Sequence, residues 1–130
     1  MTSVIYASLC AFTIVWLSLQ VIKIRHREKV SIGDGNLAPL TIAMAAHSNA
    51  IEYIPIALLL LFALEFNAAP IAIVHAFGIA LVLGRAIHAR ALLTENLANR
   101  VRGMQITIWT IIGLALTNLV YLPYSRLIEF

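Results

Sequence analysis

The sequence predicts an all-α integral membrane protein, an antiparallel bundle of four transmembrane helices, on three observations. Hydrophobic residues make up 62% of the 130 residues and charged ones 12%, with a mean hydropathy of +0.93, whereas soluble domains carry about 45–50% apolar and about 25% charged residues. The apolar residues fall into four runs, each close to the roughly 20 residues that cross a hydrocarbon core about 30 Å thick. Basic residues gather at two of the three connections: Lys23, Arg25, Arg27 and Lys29 at the first, and Arg90, Arg100 and Arg102 at the third. One membrane domain over residues 1–130 uses the whole chain and leaves no room for a separate soluble one.

The first span is expected over about 3 to 25. Val4 to Ile22 carries no charge. It has no basic n-region, exceeds an h-region of about 7 to 15 residues and shows no small-residue cleavage site before Lys23, so it reads as a retained helix rather than a signal peptide. Cys10 lies within it as a small packing residue with no second cysteine to pair with. Ser31-Ile32-Gly33-Asp34-Gly35-Asn36 is a turn-rich break. The second span, about 37 to 66, ends at the short Asn67-Ala68-Ala69-Pro70 connection, where Pro70 suits the first turn of a third span over about 70 to 92. So tight a link makes these two helices antiparallel neighbours. A polar stretch from Thr94 to Asn99, with room for a helical turn of its own, leads to the fourth span, about 101 to 123.

Lys and Arg accumulate in cytoplasmic loops, so the first and third connections are expected inside and both termini outside. Arg126 alone sits on the other side. Tyr6, Tyr121 and Tyr124 mark the non-cytoplasmic interface, with Trp16 the exception well inside the first span. Most of the basic residues read as topology determinants in contact with anionic membrane lipids.

Chemistry is expected where polar groups interrupt the apolar runs. His47, Asn49 and Glu52 do so in the second span. At 100° per residue Asn49, Glu52 and Tyr53 share one stripe, while His47 falls about 140° from Glu52, on the other flank. One site within one bundle struggles to use both flanks; a helix wedged between neighbours, as in an oligomer, does so readily. Pro55 favours a kink beside Glu52. In the third span Arg85 and His88 share a face, with Gly84 beside them allowing close helix approach. A charge at membrane depth costs roughly 2.5 to 3.5 kcal/mol even on the lenient insertion scale. An Arg85–Glu52 ion pair completed by Asn49 resolves that cost for both residues. His75 reads as a core or interface histidine. The sequence has no Gly-rich phosphate loop, no Cys or His cluster at metal-ligand spacing and no Ser-His-Asp arrangement, and nothing in it points to nucleic acid.

Ala46-His47-Ser48-Asn49-Ala50-Ile51-Glu52-Tyr53-Ile54-Pro55 resembles the A-H-x-N-x-x-E signature of the MAPEG family, the membrane-associated proteins of eicosanoid and glutathione metabolism, with the Y-x-P extension common in bacterial members. Gly84-Arg85-Ala86-Ile87-His88-Ala89 resembles the family's G-R-x-x-H-A, and Val30-Ser31-Ile32-Gly33-Asp34-Gly35 the V-x-x-G-D-G of its small bacterial inner-membrane branch. The resemblance covers essentially the whole chain. It implies a homotrimer in the bacterial inner membrane, with sites between adjacent subunits near the cytoplasmic face. It also implies glutathione as co-substrate and a transferase or peroxidase acting on lipophilic electrophiles. On this resemblance Arg102, at the start of the fourth helix, stabilises the thiolate, with Arg100 as the alternative. His47, Asn49, Glu52, Arg85 and His88 hold the peptide, and Lys23 or Arg25 closes the site from the first helix. The eukaryotic synthases carry an Arg, a Tyr and a Ser where this chain has Ala45, Leu92 and Gly103, so the peptide-binding frame matches the family more closely than the catalytic edge does.

The physical logic is independent of the resemblance. Arg and Lys suit the carboxylates of an acidic tripeptide, Glu52 suits its α-amino group, and a cation beside a thiol lowers a pKa of about 8.5. Two other classes compete. One is a non-catalytic trimeric membrane protein whose polar cluster is structural. The other is a proton-coupled carrier using Glu52 and His47, although short helices without inverted repeats do not resemble a transporter.

Overall fold

The structure, a computed structural model, describes residues 1–124. Four helices run Ser3–Glu28 (α1), Ala38–Phe66 (α2), Ile71–Leu93 (α3) and Leu97–Tyr121 (α4). Each is long and apolar enough to cross a membrane. Arg126, expected alone on the terminal side, lies outside the described residues.

Two boundaries differ from the sequence expectation, and both have local causes. The first helix continues to Glu28 and stops because Lys29 turns left-handed (φ 55°), its N–H capping the Arg25 carbonyl. The fourth begins a turn early because the Asn96 side chain accepts the Asn99 N–H at 3.1 Å, an N-cap that draws the polar stretch into α4. The expected separate helical turn is the first turn of α4. In α2, Pro39 occupies the opening turn, where its missing donor has no intrahelical role, and the helix runs on through Pro55.

The central pair is α2 and α3; α1 packs on both from one side and α4 on both from the other, without touching α1. The seam along α2 is Ala43, Ala46, Ala50, Ile54, Ala57, Leu61 and Leu64, all buried. Small residues at these three- and four-residue spacings let helices approach in lipid, where association rests on close packing rather than on a hydrophobic drive. The outer surface is apolar, with Phe12 71%, Trp109 70% and Val120 76% exposed. Water would penalise such a surface; hydrocarbon does not.

Loops one and three share one end of the bundle, and both are held by side chains. In loop one Arg25 donates to the carbonyls of Gly33 at 2.9 Å and Val30 at 3.5 Å. Asp34 accepts the Asn36 N–H at 3.0 Å and the Thr41 hydroxyl at 3.1 Å. Those bonds, the Asn36 amide first, hold its carboxyl below the usual aspartate value. At the opposite end the Glu65 carboxylate, in the last turn of α2, accepts the backbone N–H groups of Thr2 and Ser3 and the Ser3 hydroxyl. It acts as a helix cap for α1 supplied from another helix, satisfying donors that α1 leaves open.

Glu65→Ala should therefore fray the start of α1. Losing a cap costs about 0.5–2 kcal/mol, and the readout is faster amide exchange at Ile5, Tyr6 and Ala7 with α3 and α4 unchanged.

Candidate functional site

Arg85 is the largest fully buried side chain of the described residues, 1% exposed. Its Nη2 donates to Asn49 Oδ1 at 2.7 Å, tying α3 to α2, and lies 3.3 Å from His88 Nδ1 one turn along. The guanidinium carbon sits 5.9 Å from the centre of the Tyr53 ring, a cation–π arrangement. Nε and Nη1 are buried without a hydrogen-bond partner among the described residues. His88, 3% exposed, backs onto α4, where Gly103 lies against its main chain.

The expected Arg85–Glu52 ion pair is not formed. Arg85 takes Asn49 alone of the two, and Glu52 is exposed, with no hydrogen-bond or ion-pair partner among the described residues. The reason is the direction of the core. The alanine seam sets the buried face of α2, and at 100° per residue Glu52 falls about 160° from its centre while Asn49 and Tyr53 lie on one flank. Sequence reasoning passed over that seam, although Ala43, Ala46, Ala50 and Ala57 spell it out.

The other flank carries His47, whose Nε2 is 2.9 Å from Ser18 Oγ on α1. Both flanks are thus occupied within one chain, by α1 and α3, and need no second subunit to explain them. His75 is held by the Tyr6 hydroxyl, 2.5 Å from its Nδ1. Tyr6 in turn lies across Gly78, where any side chain would strike its ring. The sequence does not mark Ser18 or Tyr6 as a partner, because a hydroxyl in an apolar helix carries no positional signal until the helix pairing is known.

The remaining cations stand apart from the buried cluster. Lys23 is exposed, and Arg25 is committed to loop one, with Nη2 also 3.5 Å from Met44 Sδ. Arg100 is exposed on the rim of a small cleft of about 210 Å³ shared with Ile42, Ala91 and Glu95. Arg102 is exposed and donates to Asn99 Oδ1 at 3.3 Å. It lines an apolar groove of about 720 Å³ between α3 and α4, with Phe77, Ala80, Gln105, Ile106 and Trp109. Arg102 adjoins Gly103, which meets His88, which meets Arg85, itself bonded to Asn49, so the groove's cation and the buried cluster share one level of the bundle. No group of three or more His, Cys, Asp or Glu among the described residues is placed to hold a metal.

Residues 3–120 match the MAPEG family. The chain belongs to that family. It is 36% identical over 125 residues, 96% of this chain and 95% of the relative, to "Inner membrane protein YecN" of Escherichia coli strain K12, and equally to the protein of that name from E. coli O6:H1. Within the MAPEG frame, three substitutions now have a structural setting. Ala45 faces outward on the same side of α2 as Ser48 and Glu52. Leu92 packs on the core. Gly103 occupies a contact in which an added Cβ would lie 2.5 Å from the His88 nitrogen and 2.8 Å from its Cα, backbone atoms that cannot swing aside.

Introducing the synthases' residue by Gly103→Ser should push α4 off α3 and cost about 1–3 kcal/mol, the usual range for overpacking. A lowered melting temperature in detergent is the expected result; an unchanged one means that the α3–α4 contact has slack.

Proposed function

We propose that this chain is a membrane-embedded glutathione-dependent transferase or peroxidase that acts on lipophilic electrophiles at the interface between copies in a homotrimer. The observation that carries the reading is Arg102 on the wall of an apolar groove, a fixed cation beside a cavity that opens toward lipid. Family membership supplies the chemistry to which such a pairing belongs.

The side chains suit the tripeptide in charge and in placement. Glu52, outward on α2 and unpaired among the described residues, is an acceptor for its ammonium group, and Arg100, exposed at the start of α4, is a donor for its carboxylates. Glutathione brings the thiol. The Arg102 guanidinium favours the thiolate over the thiol by opposite charge, and Phe77, Ile106 and Trp109 hold an apolar partner out of water beside it. Asn49, Arg85 and His88 act from behind, fixing α2 against α3 and α3 against α4, so that Glu52 and Arg102 are presented on rigid helices. An exposed carboxylate at membrane depth is costly in lipid, which supports a second copy, or a ligand between copies, covering the Glu52 face. In this reading both termini are outside and the glutathione end of the bundle faces the cytoplasm.

A second reading, a non-catalytic trimer, is favoured by a specific observation: the contacts that Arg85 makes, to Asn49 and His88, lie within one chain, as in a structural lock.

A thermal-shift titration of the purified protein with glutathione and its S-alkyl conjugates separates the two. Ligand at about 100 times its dissociation constant should add roughly 2.7 kcal/mol of apparent stability, with the shift abolished in Arg102→Ala and Glu52→Gln. An unshifted wild type, with Glu52→Gln dissociating the oligomer, supports the structural reading instead.

A further inference from the structure

The last turn of α1 and the start of loop one enclose a groove of about 500 Å³, lined by Ile22, Arg25, His26, Lys29, Val30 and Ser31. Among the described residues no carboxylate forms an ion pair with Arg25 or Lys29. Glu28, the acid on this turn, is paired with Arg27 at 2.7 Å, and Asp34 is committed to Asn36 and Thr41. A helix C-terminus ordinarily repels an anion, because its last carbonyls are unsatisfied. Here the Arg25 carbonyl is covered by the Lys29 and Val30 N–H groups, and the Arg25 side chain donates to the loop carbonyls of Val30 and Gly33. Against the carbonyls that remain stand Arg25 and Lys29, the charged side chains of the groove, both positive.

Below the groove runs an apolar track. Phe12 (71% exposed), Trp16 (41%), Leu19 (55%) and Ile22 (48%) stand at three- and four-residue spacing along the outer face of α1 and end at the groove. A cationic cup above an apolar track about three turns long is complementary to an anionic phospholipid.

We infer that this groove is a binding site for the phosphate head group of an anionic phospholipid whose acyl chain lies along Phe12, Trp16, Leu19 and Ile22. Lys29 and His26 contact the phosphate, Arg25 contributes charge while holding loop one in shape, and the Ser31 hydroxyl is a further donor. Lys29, His26 and Ser31 are distinct from the residues placed around the thiol, whereas Arg25, which the family resemblance offers for closing the peptide site from the first helix, would be common to both. Lipid occupancy would brace loop one, and with it the start of α2, through Arg25.

The chain carries its own reporter. With Trp109→Phe, Trp16 is the remaining one of the two tryptophans, and it lies on the proposed acyl track. The protein is placed in phosphatidylcholine vesicles containing a minor fraction of phosphatidylglycerol, with acyl-chain bromines on one lipid or the other. Brominated phosphatidylglycerol should quench Trp16 with about a fivefold preference over brominated phosphatidylcholine, the equivalent of the ~1 kcal/mol that one basic contact at an anionic surface provides. The preference should vanish in Lys29→Gln with His26→Gln, survive in Arg90→Gln, which removes a charge at the same end outside the groove, and resist added inorganic phosphate. Equal quenching by the two lipids overturns the proposal. Loss of the preference in Arg90→Gln as well makes the attraction a diffuse surface effect, and displacement by inorganic phosphate makes the groove a free-phosphate site; either result also overturns it.

Discussion

One hydrogen bond, from Arg85 to Asn49, organises the bundle. A guanidinium placed among apolar helices would ordinarily be excluded, and even partial burial without acceptors costs several kcal/mol. Asn49 converts that penalty into a connection between α2 and α3. Through His88 the same arginine reaches the helix face on which Gly103 rests, so α4 is registered against the same point. Lipid offers helices little hydrophobic reason to associate, and a polar tie of this kind supplies specificity where packing alone is permissive.

Around that tie the chain separates what is locked from what is presented. Asn49, Tyr53, Arg85 and His88 face one another inside the bundle, whereas Glu52 and Arg102 face out at a similar depth. The first set holds geometry and the second is free to meet a ligand or another copy of the chain. Gly103 shows the compromise at this boundary. A serine there would add a hydroxyl close to Arg102, but the space is taken by the His88 backbone. Proximity of α3 and α4 is gained at a position where the eukaryotic synthases keep a polar group.

Much of this was legible beforehand, for identifiable reasons. Four helices follow from run length and composition, and their breaks from Gly33, Gly35, Pro70 and the polar residues after Leu93, because turn chemistry is local. That Arg85 needs a partner on the second helix is legible, since a buried charge is costly, but the sequence points to Glu52 with Asn49 only completing the bonds, and in the structure Asn49 takes Arg85 by itself. The orientation of Glu52 was misjudged. A carboxylate and an arginine in adjacent spans invite pairing, but the rotation of α2 is set by Ala43, Ala46, Ala50 and Ala57, small residues whose influence comes from letting backbones approach rather than from any charge. Glu65 escaped notice because it stands near the end of a helix, and its role depends on where α1 begins in space. His47 on the far flank is answered by Ser18 of the same chain, a contact that requires knowing that α1 and α3 flank α2.

The Asn49–Arg85 bond is a charge-assisted tie stronger than ordinary interhelical hydrogen bonds in membranes. A double-mutant cycle of Asn49→Leu and Arg85→Met, followed by equilibrium unfolding in detergent, measures it directly. A coupling of about 1.5 kcal/mol or more is expected, as for hydrogen bonds to charged groups. A coupling at or below the ~0.6 kcal/mol typical of interhelical hydrogen bonds would contradict it, leaving the bundle to be held by its alanine and glycine seams alone.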